Sequence, residues 1–209
     1  FADNDFIYAG LQDGSILVWM PDLTFFKKIS EASSPVHAVL SDGSFLYAGS
    51  SDGKVRVFSK PGFELQETLD ASASILALAG DEEFVYAAAS NGIVVVWEKQ
   101  GFSLFKQFSS SAESLASIAV DSENLYVGGS DGNVSVWKKQ GFAFERLLSQ
   151  PSASVNSIAV DSKFLLAGTQ DGKVFVYNLN DFSLRSVISK GFSSVKQVFS
   201  KPSESYIAV

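Results

Sequence analysis

The feature that most constrains this chain is a glycine that returns every 39 or 40 residues. Gly14, Gly53, Gly92, Gly132 and Gly172 each follow Asp or Asn, at spacings of 39, 39, 40 and 40. Five residues after each comes an aromatic: Trp19, Phe58, Trp97, Trp137 and Tyr177. Five copies without drift exclude coincidence and demand a structure that repeats at the same period.

Each copy contains four short segments rich in β-branched and aromatic residues, bounded by Gly, Ser, Asp or Pro. Before the turn stand FIYAG, FLYAG, FVYAA, LYVGG and LLAGT; after it stand SILVW, KVRVF, IVVVW, NVSVW and KVFVY. A third segment follows (TFFKKI, ELQETL, SLFKQF, AFERLL, SLRSVI), then a fourth, such as PVHAVL or VNSIAV. These read as strands, and no segment keeps a helical period over a dozen residues. The second segments are apolar on both faces, so each sheet needs cover on both sides. Neighbouring sheets packed radially supply that cover, which predicts an all-β, β-propeller fold of four-stranded blades.

We label the strands B, C and D, with the fourth segment the inner strand A of the next blade. Inner strands are expected at Val36–Leu40, Ile75–Ala79, Leu115–Val120, Val155–Val160 and Val195–Phe199. The last would join Phe6–Gly10 and unite the termini in one blade. That reading gives a single domain over 1–209 with five blades, in repeat units of about 1–40, 41–79, 80–120, 121–160 and 161–200. Residues 201–209 then form a closing or surplus strand, and the alternative is a fragment of a six- or seven-bladed propeller.

At SDG-x-V-x-V-W, followed by a Ser-rich loop and VNSIAVDS, the chain resembles the WD40-repeat family over essentially its whole length. It departs from the family pattern in lacking the opening Gly-His pair. The residue after the aromatic is Met20, Ser59, Glu98, Lys138 or Asn178, never Asp. A quinoprotein-like repeat is the related alternative. The resemblance implies a non-catalytic scaffold that binds a protein or peptide on one propeller face, in a setting leaning to the cytoplasm.

The turn residues Asp13, Asp52, Asn91, Asp131 and Asp171 read as structural. Asp and Asn both bond the backbone two residues on, and Gly supplies the positive φ. Because Asn91 replaces Asp without the charge, a turn device fits better than a charge-dependent site. The family resemblance implies a network of this Asp with His, Ser/Thr and Trp, and here its histidine is missing.

Composition closes several routes. The chain has no cysteine and one histidine, His37, so no thiolate, Cys-zinc or multi-histidine metal centre is expected. No Walker-type, GxGxxG or GxSxG motif occurs, so no cofactor and no enzyme activity is expected. Acids such as Asp42, Asp81, Asp121 and Asp161 fall in turns, and the inner strands carry none, which counts against a glycosidase pair. A net charge of −7 with no basic run argues against nucleic acid. No apolar run approaches the roughly 18 residues of a spanning helix, so membrane insertion is not expected. The chain starts at Phe1, which leads us to expect a processed, trimmed or engineered segment without standalone function as one alternative; an open ring would then oligomerise.

Two features remain for binding. Gly62-Phe63, Gly101-Phe102 and Gly141-Phe142 recur between strands C and D, with Asp181-Phe182 and Asp22-Leu23 in the other units. They read as packing anchors, and the alternative is a lectin-like ring of exposed aromatics. The D–A loops are short and Ser-rich, so specificity there must sit where the units differ. His37, Glu113, Asn156, Lys190, Phe192 and Lys196 are the partner-binding candidates.

Overall fold

A computed structural model of the chain describes residues 1–149, 151–189 and 193–199. Its described residues form five antiparallel sheets, the blade repeat of a β-propeller. The first sheet has three strands, β1 (Ile7–Gly10), β2 (Ile16–Trp19) and β3 (Phe25–Ile29). The second is β4 (Val36–Ser41), β5 (Phe45–Ser50), β6 (Lys54–Ser59) and β7 (Leu65–Asp70). The third is β8 (Ile75–Gly80), β9 (Phe84–Ala89), β10 (Ile93–Glu98) and β11 (Leu104–Ser109). The fourth is β12 (Leu115–Val120), β13 (Asn124–Gly129), β14 (Val134–Lys138) and β15 (Ala143–Leu148). The fifth is β16 (Val155–Val160), β17 (Phe164–Thr169), β18 (Lys173–Asn178) and β19 (Leu184–Ser189). Among the described residues no helix is long and apolar enough to cross a membrane.

The chain divides into two compact units, Phe1–Asn91 with Val95–Lys106, and Gly92–Val94 with Gln107–Val209. Inside each unit the sheets cover one another. In the first, Phe6, Tyr8, Ile16 and Val18 pack with Val36, Leu46, Ala48 and Phe58 of the next sheet. In the second, Tyr126, Val134 and Val136 pack with Val155, Leu165, Ala167 and Tyr177. The B and C strands are therefore buried on both faces, while D strands such as β7 and β19 are mostly exposed. This gradient is the physical meaning of the two-faced apolar segments in the sequence.

One expectation is corrected. Val195–Phe199 carries no strand ladder, although Val195 and Val198 are buried against Leu166, Val174 and Val176 of the fifth sheet. Apolar burial alone does not make a strand; a partner must take its backbone groups. Here the Val195 amide bonds the Thr169 carbonyl at 2.9 Å, and the Val198 amide bonds the Ser157 hydroxyl at 3.0 Å. The expected closing strand at 201–209 lies outside the described residues.

The B–C turns hold their glycines in the left-handed region, at φ +84° for Gly14 and +78° for Gly92. A Cβ on Gly92 would run into the backbone carbonyl of Ala112 in the D–A loop. Gly92→Ala is therefore expected to cost at least about 1–2 kcal/mol from its dihedral alone. The carbonyl contact adds to that loss. Urea unfolding checks this, and a variant as stable as the parent would refute it.

Candidate functional site

Antiparallel order puts the B–C hairpins and D–A loops at one end of each sheet, and the A–B and C–D connections at the other. At the first end, the hairpin glycines abut the loop backbone, Gly53 against Ala73 and Gly132 against Ala153. The loops are thereby held on the sheets: the Ala71 amide bonds the Gly53 carbonyl at 2.8 Å, and Ser110 bonds Gly92 at 2.9 Å.

The inner strands begin at this end with a β-bulge. The register slips between Val36 and Ala38, Ile75 and Ala77, Leu115 and Ser117, and Val155 and Ser157. The skipped residue is unpaired in the ladder and free to carry a side chain for another purpose. It is His37, Leu76, Ala116 or Asn156, and Lys196 holds the same place after Val195. Three of the six binding candidates thus share one repeat position.

In the first unit, His37 is exposed and its Nε2 lies 2.7 Å from the Ser51 hydroxyl. In the second, Asn156 is half-buried, and its Nδ2 donates to the Val195 carbonyl at 3.1 Å. That bond sets Asn156 beside the exposed Lys196. Glu113 is exposed in its loop, with no bond joining it to the other two. Lys190 and Phe192 lie outside the described residues.

The turn residues use their carboxylates locally. Asp13, Asp52 and Asp131 each accept the amide two residues on, at 2.9, 3.2 and 3.1 Å. Asp171 instead takes the Lys173 ammonium at 2.6 Å, and Asp52 also holds the buried Arg56 at 2.7 Å. The serine hydroxyl and amide of Ser15 hold the Asp13 carboxyl low, at about 2.

The Gly-Phe pairs act as packing anchors. Phe63 and Phe142 are buried, and Phe102 and Phe182 are half-buried. Each ring packs on the preceding blade, Phe63 on Phe6, Phe102 on Phe45, Phe142 on Phe108 and Phe182 on Tyr126. Their backbones sit at positive φ, between +53° and +59°, which turns the side chain inward. Sugar stacking needs an exposed face, and Phe63 and Phe142 offer little of one.

The opposite end carries a constellation that the sequence reading passed over. Asp3, Asp42, Asp81, Asp121 and Asp161 open the A–B turns, and Oδ1 of each accepts the amides two and three residues on. Oδ2 takes a tyrosine hydroxyl five residues on: Tyr8 at 2.9 Å, Tyr47 at 3.2 Å, Tyr86 at 2.7 Å and Tyr126 at 2.6 Å. A lysine of the following repeat then reaches the same oxygen, Lys60 to Asp3 and Lys99 to Asp42, both at 2.7 Å. Burial would raise the Asp42 carboxyl, but Lys99 and the amides of Ser44 and Phe45 outweigh it and hold it below the usual range. Burial and the adjacent carboxylate push the tyrosines up, so they remain donors. At Asp3 and Asp42 the turn acid thus clamps one blade to the next. Their common period with the turn glycine was the available signal.

The sequence matches the family model of the WD40 repeated domain over residues 2–120, more than half of the chain. It belongs to the WD40-repeat family. A second model, the CFAP43 N-terminal domain, matches residues 82–209. No curated protein matches the chain. Among solved structures, the computationally designed Ika8 protein superposes with a TM-score of 0.80 at 22% identity. The match covers 95% of this chain and 63% of that one, so the chain spans less than two thirds of the designed protein's length. Matches to 1666 solved chains show how widely the fold is used, so likeness of fold carries no particular ligand. WD40-repeat domains serve in general as interaction scaffolds.

Proposed function

We propose that the second unit binds a protein or peptide on the end of its sheets formed by the B–C hairpins and D–A loops. The observation that carries this reading is the inner-strand bulge, which turns one non-repeated residue per blade out of the ladder. Within the second unit Asn156 occupies it, with the exposed Lys196 beside it and Glu113 on the loop before β12; in the first unit the same position holds His37. Bulges of this kind re-aim side chains beside functional surfaces. Small serines around them leave room and adaptable hydrogen bonds, while the charged and amide groups discriminate.

The reading predicts one asymmetric site and not a set of equal ones. Peptides selected from a displayed library should bind at about one per chain. They should weaken roughly ten-fold or more when Asn156 and Lys196 are both replaced by Ala, in a variant that still unfolds cooperatively. Selection of no peptide, or full binding by the double variant, would overturn it. A glycan-array signal with several equal sites per chain would favour the carbohydrate-binding alternative.

A further inference from the structure

Among the described residues, the Asp121 turn lacks the lysine of this clamp. Leu179 holds the register of the clamp lysines: its amide bonds the Lys163 carbonyl at 2.9 Å, as Lys60 bonds Ser44 and Lys99 bonds Glu83 at 2.8 Å. Leucine has no ammonium to give. Asp121 keeps its two backbone donors and the Tyr126 hydroxyl, but among the described residues no cation pairs with its carboxylate.

In that place the second unit has a cleft of about 370 Å³, lined by Asp121, Asn124, Tyr126, Glu145 and Leu179 among others. Asn124 is only 7% exposed. Its Nδ2 donates to the Tyr126 hydroxyl at 3.2 Å, and Tyr126 donates onward to Asp121. This proton order fixes the amide, and Asn124 Oδ1 is left as a buried acceptor without a donor. Such a group is rare unless something supplies the missing donor. Glu145 Oε2 also accepts no hydrogen bond and meets only the Lys138 ammonium, at 3.5 Å.

Both cations of the cleft are already engaged, and Glu145 meets each of them, with Arg146 Nη2 3.9 Å from its Oε1. Lys138 sits between Glu145 and Glu123, the latter at 3.6 Å. Arg146 donates to the Asp181 carbonyl at 3.1 Å and lies over the Phe182 ring at 4.8 Å. Against these two cations stand the carboxylates of Asp121, Glu123 and Glu145, so the cleft is net acidic and short of donors.

We propose that this cleft receives the ammonium of a lysine side chain from a protein partner, in the place that Lys60 and Lys99 fill within the chain at the equivalent turns. An ammonium offers three donors and one charge, which suits an unpaired carboxylate beside an unpaired amide oxygen. Within the chain, Lys60 shows the chemistry, donating to the Asp3 carboxylate, the Ser41 hydroxyl and the Asp42 carbonyl. The cleft lies at the opposite end of the sheets from the bulge residues, so either site can fail alone.

The probe is Nα-acetyl-lysine-methylamide, titrated into the whole chain and followed by NMR at the Asn124 side-chain amide and the Leu179 methyls. Saturable shifts are expected, absent with the norleucine analogue. Leu179→Lys, whose own ammonium fills the place, should bind roughly ten-fold more weakly or worse, and Leu179→Met should stay within about two-fold of the parent. No saturable shift, or equal binding by the parent and Leu179→Lys, overturns the proposal. Binding of spermidine without any response to the blocked lysine overturns the assignment to a protein partner.

Discussion

Lys60→Met is expected to lower the thermal midpoint by roughly 6–12 °C, the equivalent of about 3 kcal/mol in a chain of this size. The Lys60 side chain is 5% exposed and that of Asp3 17%, so their 2.7 Å pair lies largely out of water. Removing the ammonium leaves a carboxylate that has lost its charge partner but not its burial. The loss stays at the low end for buried pairs because the Tyr8 and Ser41 hydroxyls and two backbone amides still reach Asp3. The pH dependence gives an independent readout. Burial would raise the Asp3 carboxyl, but Lys60, Ser41 and the amides of Asp5 and Phe6 outweigh it and hold it far below the carboxylate range. A carboxyl depressed on folding adds stability above its unfolded value of about 4, and that stability is lost as pH falls through the folded value. The gap between parent and variant should therefore be full at neutral pH and narrow below about pH 4. A midpoint unchanged by the substitution at neutral pH would show that the clamp contributes nothing.

The second large effect concerns the Gly-Phe pairs. Phe63→Ala should cost about 3–5 kcal/mol, because a ring 3% exposed leaves a cavity that the strands cannot close. It meets Phe6 edge-on at 5.2 Å, with Phe26 at 6.0 Å and Tyr8 at 6.2 Å around it. Leu23 stands at the same repeat position with the same positive φ, yet it is 73% exposed. Leu23→Ala should stay within roughly 0.5 kcal/mol of the parent. Denaturant titration of the two variants compares one sequence position in two environments. Equal losses would mean that the position works through its turn and not through packing on the preceding blade.

Much of the fold was legible before any coordinates. Period-2 alternation and a drift-free Asp-Gly turn placed β1 to β19 closely, because strand pairing across a short hairpin is a local matter. The bulges were not legible. In VHAVL and VNSIAV the slip moves one residue out of register without changing the apolar pattern around it. Val195–Phe199 failed as a strand for the complementary reason, since its composition suits a strand but ladder bonds depend on a partner.

The clamp shows the division most clearly. Asp3, Asp42, Asp81, Asp121 and Asp161 keep the period of the turn glycine, and Tyr8, Tyr47, Tyr86 and Tyr126 follow five residues behind. Read along the chain they are solvated turn acids and core aromatics. The lysine that completes the Asp3 and Asp42 sets comes from the next repeat, 57 residues away for both Lys60 and Lys99. Sequence by itself determined the repeat, the strands and the turn chemistry, all of which act between residues a few positions apart. Only tertiary structure decided which phenylalanines are buried, that Asp3 and Asp42 are paired, and that Asp121 faces a cleft. Burial and charge pairing are set by what the neighbouring blade presents, and that is a property of packing.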